Sequence, residues 1–186
     1  SYGFNHFVTT DEIHAHAPTV FPHRPPGGNK GEADHDAEIA AALILFEPVD
    51  WALDMQVLTD VLLGNTLGSD KPRQTVPCYA CNPDVVYMDQ HHHPRYTQGA
   101  FVTAFRGLFE HYTQAPLEVE FCGKPTAVQY RTAEALIHEH AASGAESKEG
   151  ELPTVSVFYG IGDNPKADIR GANNAGEHWQ SVLVRT

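Results

Sequence analysis

Lys124, in the segment Cys122-Gly-Lys-Pro-Thr126, and the acids of Gly162-Asp-Asn-Pro-Lys-Ala-Asp168, Asp163 and Asp168, are the residues whose types and spacing could do chemistry together. Each segment follows an apolar run, Leu117–Cys122 in one case and Thr154–Ile161 in the other. Runs of this kind, rich in β-branched and aromatic side chains and halted by glycine, read as strands. An open α/β sheet binds ligands beyond the carboxyl ends of its strands, so a cation and an acid delivered to that rim are placed for a ligand rather than for packing. The pairing suits phosphate chemistry, in which the cation binds phosphoryl oxygens and the acid helps hold a divalent ion that shields their charge. Spacing alone leaves a plainer reading open: Gly-Asp-Asn-Pro is ordinary turn chemistry, Asp is a good helix cap, and Lys124 could be a solvated helix start.

Other clusters carry less. His91–His93 sit beside one another, while His14 and His16, like His138 and His140, are two apart. Adjacent histidines on a loop cannot all face one ion, helix positions two apart point to different sides, and no H-E-x-x-H pattern occurs. Cys78 and Cys81 form a C-x-x-C without a second pair, which reads as two packed thiols. No G-x-S-x-G elbow is present, so nucleophilic serine chemistry has no support.

Composition bounds the class. The chain has 186 residues, 41% hydrophobic and 10% aromatic, which is globular and sufficient for one domain or two small ones. A net charge of −12 disfavours nucleic acid, and any anionic substrate would need local cations. The longest apolar run, Ile39–Phe46, is too short to span a bilayer, so the reading is of a soluble segment with no membrane partner. Three cysteines, Cys78, Cys81 and Cys122, suggest reduced thiols and no disulfide framework. Ser1 in first place, and methionines only at positions 55 and 88, lead to the expectation that the chain is part of a longer product.

The elements that must position these residues follow from periodicity. Residues 1–37 read as loop-like. Glu38–Phe46 reads as a strand, and Trp51, Met55, Leu58 and Leu62 recur at helical spacing up to Gly64. Val76–Cys81 follows as a short strand, and Phe101, Phe105, Leu108 and Tyr112 mark one face of a helix. After Leu117–Cys122 a helix is expected over about 126–140, with Pro125 suited to its first position, then an exposed linker over 141–153. The strand Thr154–Ile161, a helix near Lys166–Asn173 and a strand Ser181–Arg185 complete the pattern. Strands alternating with helices mean α/β with largely parallel pairing.

The segments Gly123-Lys-Pro-Thr126 and Gly162–Gly176, with the closing Ser181–Thr186, resemble the third and fourth motifs of the haloacid dehalogenase (HAD) superfamily. Tyr79-Ala-Cys-Asn-Pro-Asp84, then Pro94–Phe105 and the Gly-Lys-Pro, resemble its class IIA branch, in which an α/β cap precedes that lysine motif. Ser1–Ile13 and Phe46–Leu63 are similar in particular to the fungal mitochondrial HAD-like phosphatases and the cat-eye-syndrome-region group. The resemblance implies a Rossmann-like parallel sheet, the carboxyl-terminal half of a HAD core, with an inserted α/β cap. The implied organisation is a core segment and linker over 1–37, a cap over 38–118, and the core with its third and fourth motifs over 119–186.

It also implies a Mg²⁺-dependent phosphatase acting on a small phosphorylated substrate. Lys124 would stabilise the phosphoryl charge, Asp163 would ligate the metal, and Asp168 would support that ligation. Asn82, Asp84 and Arg95 would lie near where cap meets core and contact substrate. The chain departs from the family pattern in lacking a D-x-D after an apolar strand, and Phe7-Val-Thr-Thr10 reads as a later core strand rather than the second motif. The resemblance therefore expects activity only with an amino-terminal segment of the same gene product as a companion chain, or else a homodimer, in a mitochondrial or cytoplasmic setting. A non-catalytic binding module of the same fold and a histidine-rich metal-binding protein are the alternatives.

Overall fold

The structure, a computed structural model, describes residues 6–32, 34, 36–144 and 155–185. Contacts divide the chain into two compact units, Ser1–Glu120 and Phe121–Thr186.

The first unit begins with a helix where the sequence reads as loop. α1 spans Thr10–His16, and Thr9 is its N-cap. The Glu12 amide donates to Thr9 Oγ1 at 3.2 Å while Glu12 Oε2 accepts from the Thr9 amide at 2.8 Å, a reciprocal capping box written as Thr9-Thr-Asp-Glu12. That box replaces the strand expected at Phe7–Thr10. The helix is tied to α2 (Trp51–Leu63) by Thr10 Oγ1, which donates to Asp54 Oδ1 at 2.6 Å. Burial is the main cause that raises the Asp54 carboxyl above its ordinary range, with the Thr10 bond opposing it.

α2 begins and ends as the sequence suggests, with Asp50 Oδ1 accepting from the Leu53 amide and Gly64 as the C-cap residue at φ 47°. Its buried face is rotated from the expected one, however, and carries Leu53, Val57, Thr59, Leu62 and Leu63. A short parallel pair lies beside it: β1 (Ala42–Ile44) runs with β2 (Cys78–Ala80) in the register Ala42 to Cys78 and Ile44 to Ala80. The strands alternate, so Ala42 and Ile44, like Cys78 and Ala80, are buried. Burial pushes the Cys78 thiol up to about 11, the behaviour of a packed and unreactive cysteine.

A hairpin of β3 (Val86–Tyr87) and β4 (Arg95–Tyr96) leads into α3 (Gln98–Thr113). Phe101, Phe105 and Phe109, spaced by four, are fully buried, and Trp51 packs edge-on against Phe101 at 5.5 Å. Leu108 and Tyr112, expected on that face, are about half exposed, because the i, i+4 row through the phenylalanines is the buried one, with Phe101 against Trp51 of α2.

The second unit starts within β5 (Glu120–Phe121), continues through α4 (Ala127–Gly144), and ends with a parallel pair. β6 (Phe158–Gly162) runs with β7 (Trp179–Leu183), Phe158 facing Trp179 and Gly162 facing Leu183. Between them lie a wide turn at Pro165–Ile169 and α5 (Arg170–Ala175). The β6 strand is not buried on both faces: Phe158 is covered, whereas Tyr159 and Ile161 are 60% and 67% exposed. Residues 145–154 of the expected linker and strand start lie outside the described residues. Among the described residues no helix is long and apolar enough to cross a membrane.

Candidate functional site

Lys124, Asp163 and Asp168 all belong to the second unit, and two of them meet. Lys124 sits in a turn after β5, closed by the Thr126 amide on the Gly123 carbonyl and by Thr126 Oγ1 on the Cys122 carbonyl, each at 3.0 Å. This turn holds Pro125 ahead of α4, which starts at Ala127 rather than at the proline. From there Lys124 Nζ donates to Asp168 Oδ1 at 2.6 Å, with the lysine side chain 46% exposed and the aspartate 12%.

The acidic turn is built by Asn164, a residue the sequence reading did not single out. Its Oδ1 accepts from the amides of Lys166 and Ala167, and its carbonyl accepts from those of Asp168 and Ile169. An asparagine just before Pro is a readable N-cap signal. The wide first turn brings Asp168 back over the end of β6, where its Oδ2 accepts from the Asn164 amide at 3.1 Å. Gly162 is required there because a Cβ would overlap the Asp168 carboxylate. The Lys124 hydrogen bond is the largest influence on Asp168 and, helped by backbone amides and opposed by burial, holds its carboxyl below the usual carboxylate range.

Behind this pair, the Tyr130 hydroxyl donates to the Asp168 carbonyl at 3.1 Å. A cleft of about 230 Å³ runs along α4 and β6, lined by Lys124, Asp168, Tyr130, Gly160, Ile161 and Trp179. Its far wall is fixed by Glu134, whose Oε1 accepts from the Trp179 indole and lies 2.7 Å from His178 Nε2. These bonds, the tryptophan's first, lower the Glu134 carboxyl below its ordinary range.

Asp163 stands immediately past β6 with its side chain exposed. A Mg²⁺ ion is commonly held by one or two carboxylates with waters and substrate phosphates completing the shell, and Asp163 fits that donor role. Asp168 fits as support rather than as a ligand, since its oxygens are engaged by Lys124 and the Asn164 amide. Among the described residues no group of three or more His, Cys, Asp or Glu side chains is placed to hold a metal ion. His91, His92 and His93 lie against one another, with ring centroids 4.2–5.9 Å apart.

Asn82, Asp84 and Arg95 belong to the first unit. Asn82 is consumed by local structure: its amide donates to Gln98 Oε1 at 2.7 Å, its Nδ2 to Thr97 Oγ1 at 3.2 Å, and its Oδ1 accepts from the Asp84 amide at 2.9 Å. The loop thus rests on the start of α3, and Gly99 is needed because a Cβ would overlap the Pro83 and Asp84 carbonyls. The Asp84 and Arg95 side chains are exposed, Arg95 Nε donating to the Pro94 carbonyl at 2.9 Å. Buried Gln98 and Gly99, the supports of this loop, were signalled only by a Gln-Gly pair directly ahead of an aromatic helix face.

Comparison with known proteins gives four results. Residues 121–186, which make up the second unit, match the HAD-hydrolase-like family model. The chain is 33% identical over 165 residues to the mitochondrial hydrolase YKR070W of Saccharomyces cerevisiae, with 78% of this chain and 46% of that protein covered. It is 32% identical over 155 residues to a cardiolipin synthase (CMP-forming) / mitochondrial hydrolase fusion protein of Schizosaccharomyces pombe, with 80% and 24% covered. The chain therefore spans less than half of the length of either relative. Its fold is also that of a crystal structure of Bs-TpNPPase, with a TM-score of 0.52 at 18% identity over 93% of this chain and 63% of that one.

Proposed function

Because the chain is a HAD-like protein related to fungal mitochondrial hydrolases, we propose that it supplies the cationic and acidic half of a Mg²⁺-dependent phosphatase site for a small phosphate monoester. The observation that carries the reading is the 2.6 Å contact between Lys124 and Asp168 at the carboxyl end of β6, beside the exposed Asp163. A lysine so anchored presents positive charge where a phosphoryl group would dock without reorganising during reaction. Asp168, held ionised by Lys124 and the Asn164 amide, orients the ammonium and keeps the turn closed. Asp163 holds Mg²⁺, which supplies charge neutralisation for the phosphoryl oxygens.

The attacking carboxylate and the proton-transferring acid come, in this reading, from an amino-terminal segment of the same gene product. Exposed apolar groups on β6 and β7, including Tyr159, Ile161, Val182 and Leu183, support a companion segment against this sheet. Residues 38–118 act as the cap, with Asp84 and Arg95 available to contact substrate and Asn82 fixing the loop that carries Asp84. The names of the relatives support a mitochondrial setting.

The test is reconstitution. The chain alone should not hydrolyse p-nitrophenyl phosphate, and the same chain joined to its amino-terminal segment should. Equal turnover by both would place the nucleophile inside these residues and overturn the division of labour.

A further inference from the structure

Lys124 reaches Asp168 from a solvent-exposed, flexible stem, and such a contact alone does not fix the distance between the helix after Lys124 and the turn that carries Asp168. A second bond between the same two segments does. Tyr130, one turn into α4 and 7% exposed, donates its hydroxyl to the Asp168 carbonyl at 3.1 Å. Thus one short stretch, residues 124–130, grips a single residue at two atoms, the ammonium on Oδ1 and the phenol on the backbone oxygen.

The tyrosine ring has little freedom. It stands edge-on to Trp179 with centroids 5.0 Å apart at 89°, and Trp179 is itself held by Glu134 one turn further along α4. On the other side Gly171, the second residue of α5, admits the phenol, since a Cβ there would overlap the hydroxyl and ring edge. Burial, and then the Asp168 charge, raises the Tyr130 phenol above its ordinary value, so the hydroxyl remains a donor across the neutral range.

We propose that Tyr130 is a positioning residue for the Lys124–Asp168 pair, its hydroxyl setting the register of the lysine-bearing segment against the acidic turn. The functional meaning of the pair rests on the reading given under Proposed function. The hydrogen bond itself does not, and it can be tested without turnover.

The experiment follows the Asp168 carboxyl carbon by NMR through an acid titration of this chain, in wild type, Tyr130→Phe and Trp179→Phe, with thermal melting of each. Tyr130→Phe keeps the ring and removes the donor. The Asp168 midpoint should rise toward the ordinary carboxylate range as the Lys124 contact loosens. Trp179→Phe, which keeps the donor and only slackens one wall of its ring, should lower the melting temperature and move that midpoint less than Tyr130→Phe does. An unchanged midpoint in Tyr130→Phe, or an equal rise in both variants, would reduce Tyr130 to a packing residue. A failure of the completed protein to hydrolyse phosphate esters would count against the proposed function and leave this assignment standing.

Discussion

Replacing Lys124 by methionine removes an ammonium while keeping an unbranched stem, and the structure sets what that should cost. At 2.6 Å a pair of unit charges is worth about 1.6 kcal/mol in bulk dielectric, and the 46% exposure of the lysine favours that end of the range. Ordering a long lysine side chain opposes this by up to about 2 kcal/mol, so the net loss of stability should be about 1 kcal/mol or less. Catalysis should respond far more, because a fixed donor aimed at developing charge is worth about 10²–10³ in kcat. In the full-length gene product, p-nitrophenyl phosphate turnover should therefore fall by about two to three orders of magnitude while the urea midpoint hardly moves. Turnover within about threefold of wild type, or a stability loss of several kcal/mol, would rule out this role for Lys124.

Asp168, depressed by Lys124, contributes stability that is present above the ordinary carboxylate range and lost as pH falls through its lowered value. Acid unfolding curves of wild type and Lys124→Met should accordingly differ above about pH 4 and converge at the acid end. His14 is 1% exposed, and neither ring nitrogen has a hydrogen-bond partner among the described residues, so His14→Leu should raise stability by about 1–3 kcal/mol in thermal melts. Gly162→Ala would drive a methyl group into the Asp168 carboxylate and should cost about 1–3 kcal/mol while raising the Asp168 midpoint. Arg95→Ala in the full-length gene product should raise KM for a phosphate ester with kcat little changed, and unchanged kinetics would remove it from the substrate path.

The convergence of Lys124 with the acidic turn was legible because both lie just beyond apolar strand-like runs, although among the described residues β5 and β6 belong to different sheets and side-chain bonds, not strand pairing, join the two segments. α2 was equally legible, since Asp50 and Gly64 mark its ends chemically. α1 was missed although its capping box is written in Thr9–Glu12, because the proline- and glycine-rich stretch after it colours the whole region as loop. Helix faces were harder. In α3 both Phe109 and Leu108 satisfy helical spacing from Phe105, and only the neighbouring elements decide which is buried. The grip of Tyr130 on Asp168 was out of reach, as it joins a helix to a turn 38 residues away through a backbone carbonyl that no pattern of side chains announces.

In the proposed function this chain brings Lys124 and Asp163 to one phosphate site. This is tested most directly by measuring phosphate-ester turnover of the full-length gene product against Mg²⁺ concentration, in wild type and in Asp163→Asn. Activity should require Mg²⁺, and the variant should need far more of it or lose turnover altogether. Wild-type turnover that ignores Mg²⁺, or an Asp163→Asn curve that overlays the wild-type one, would remove Asp163 from a metal site.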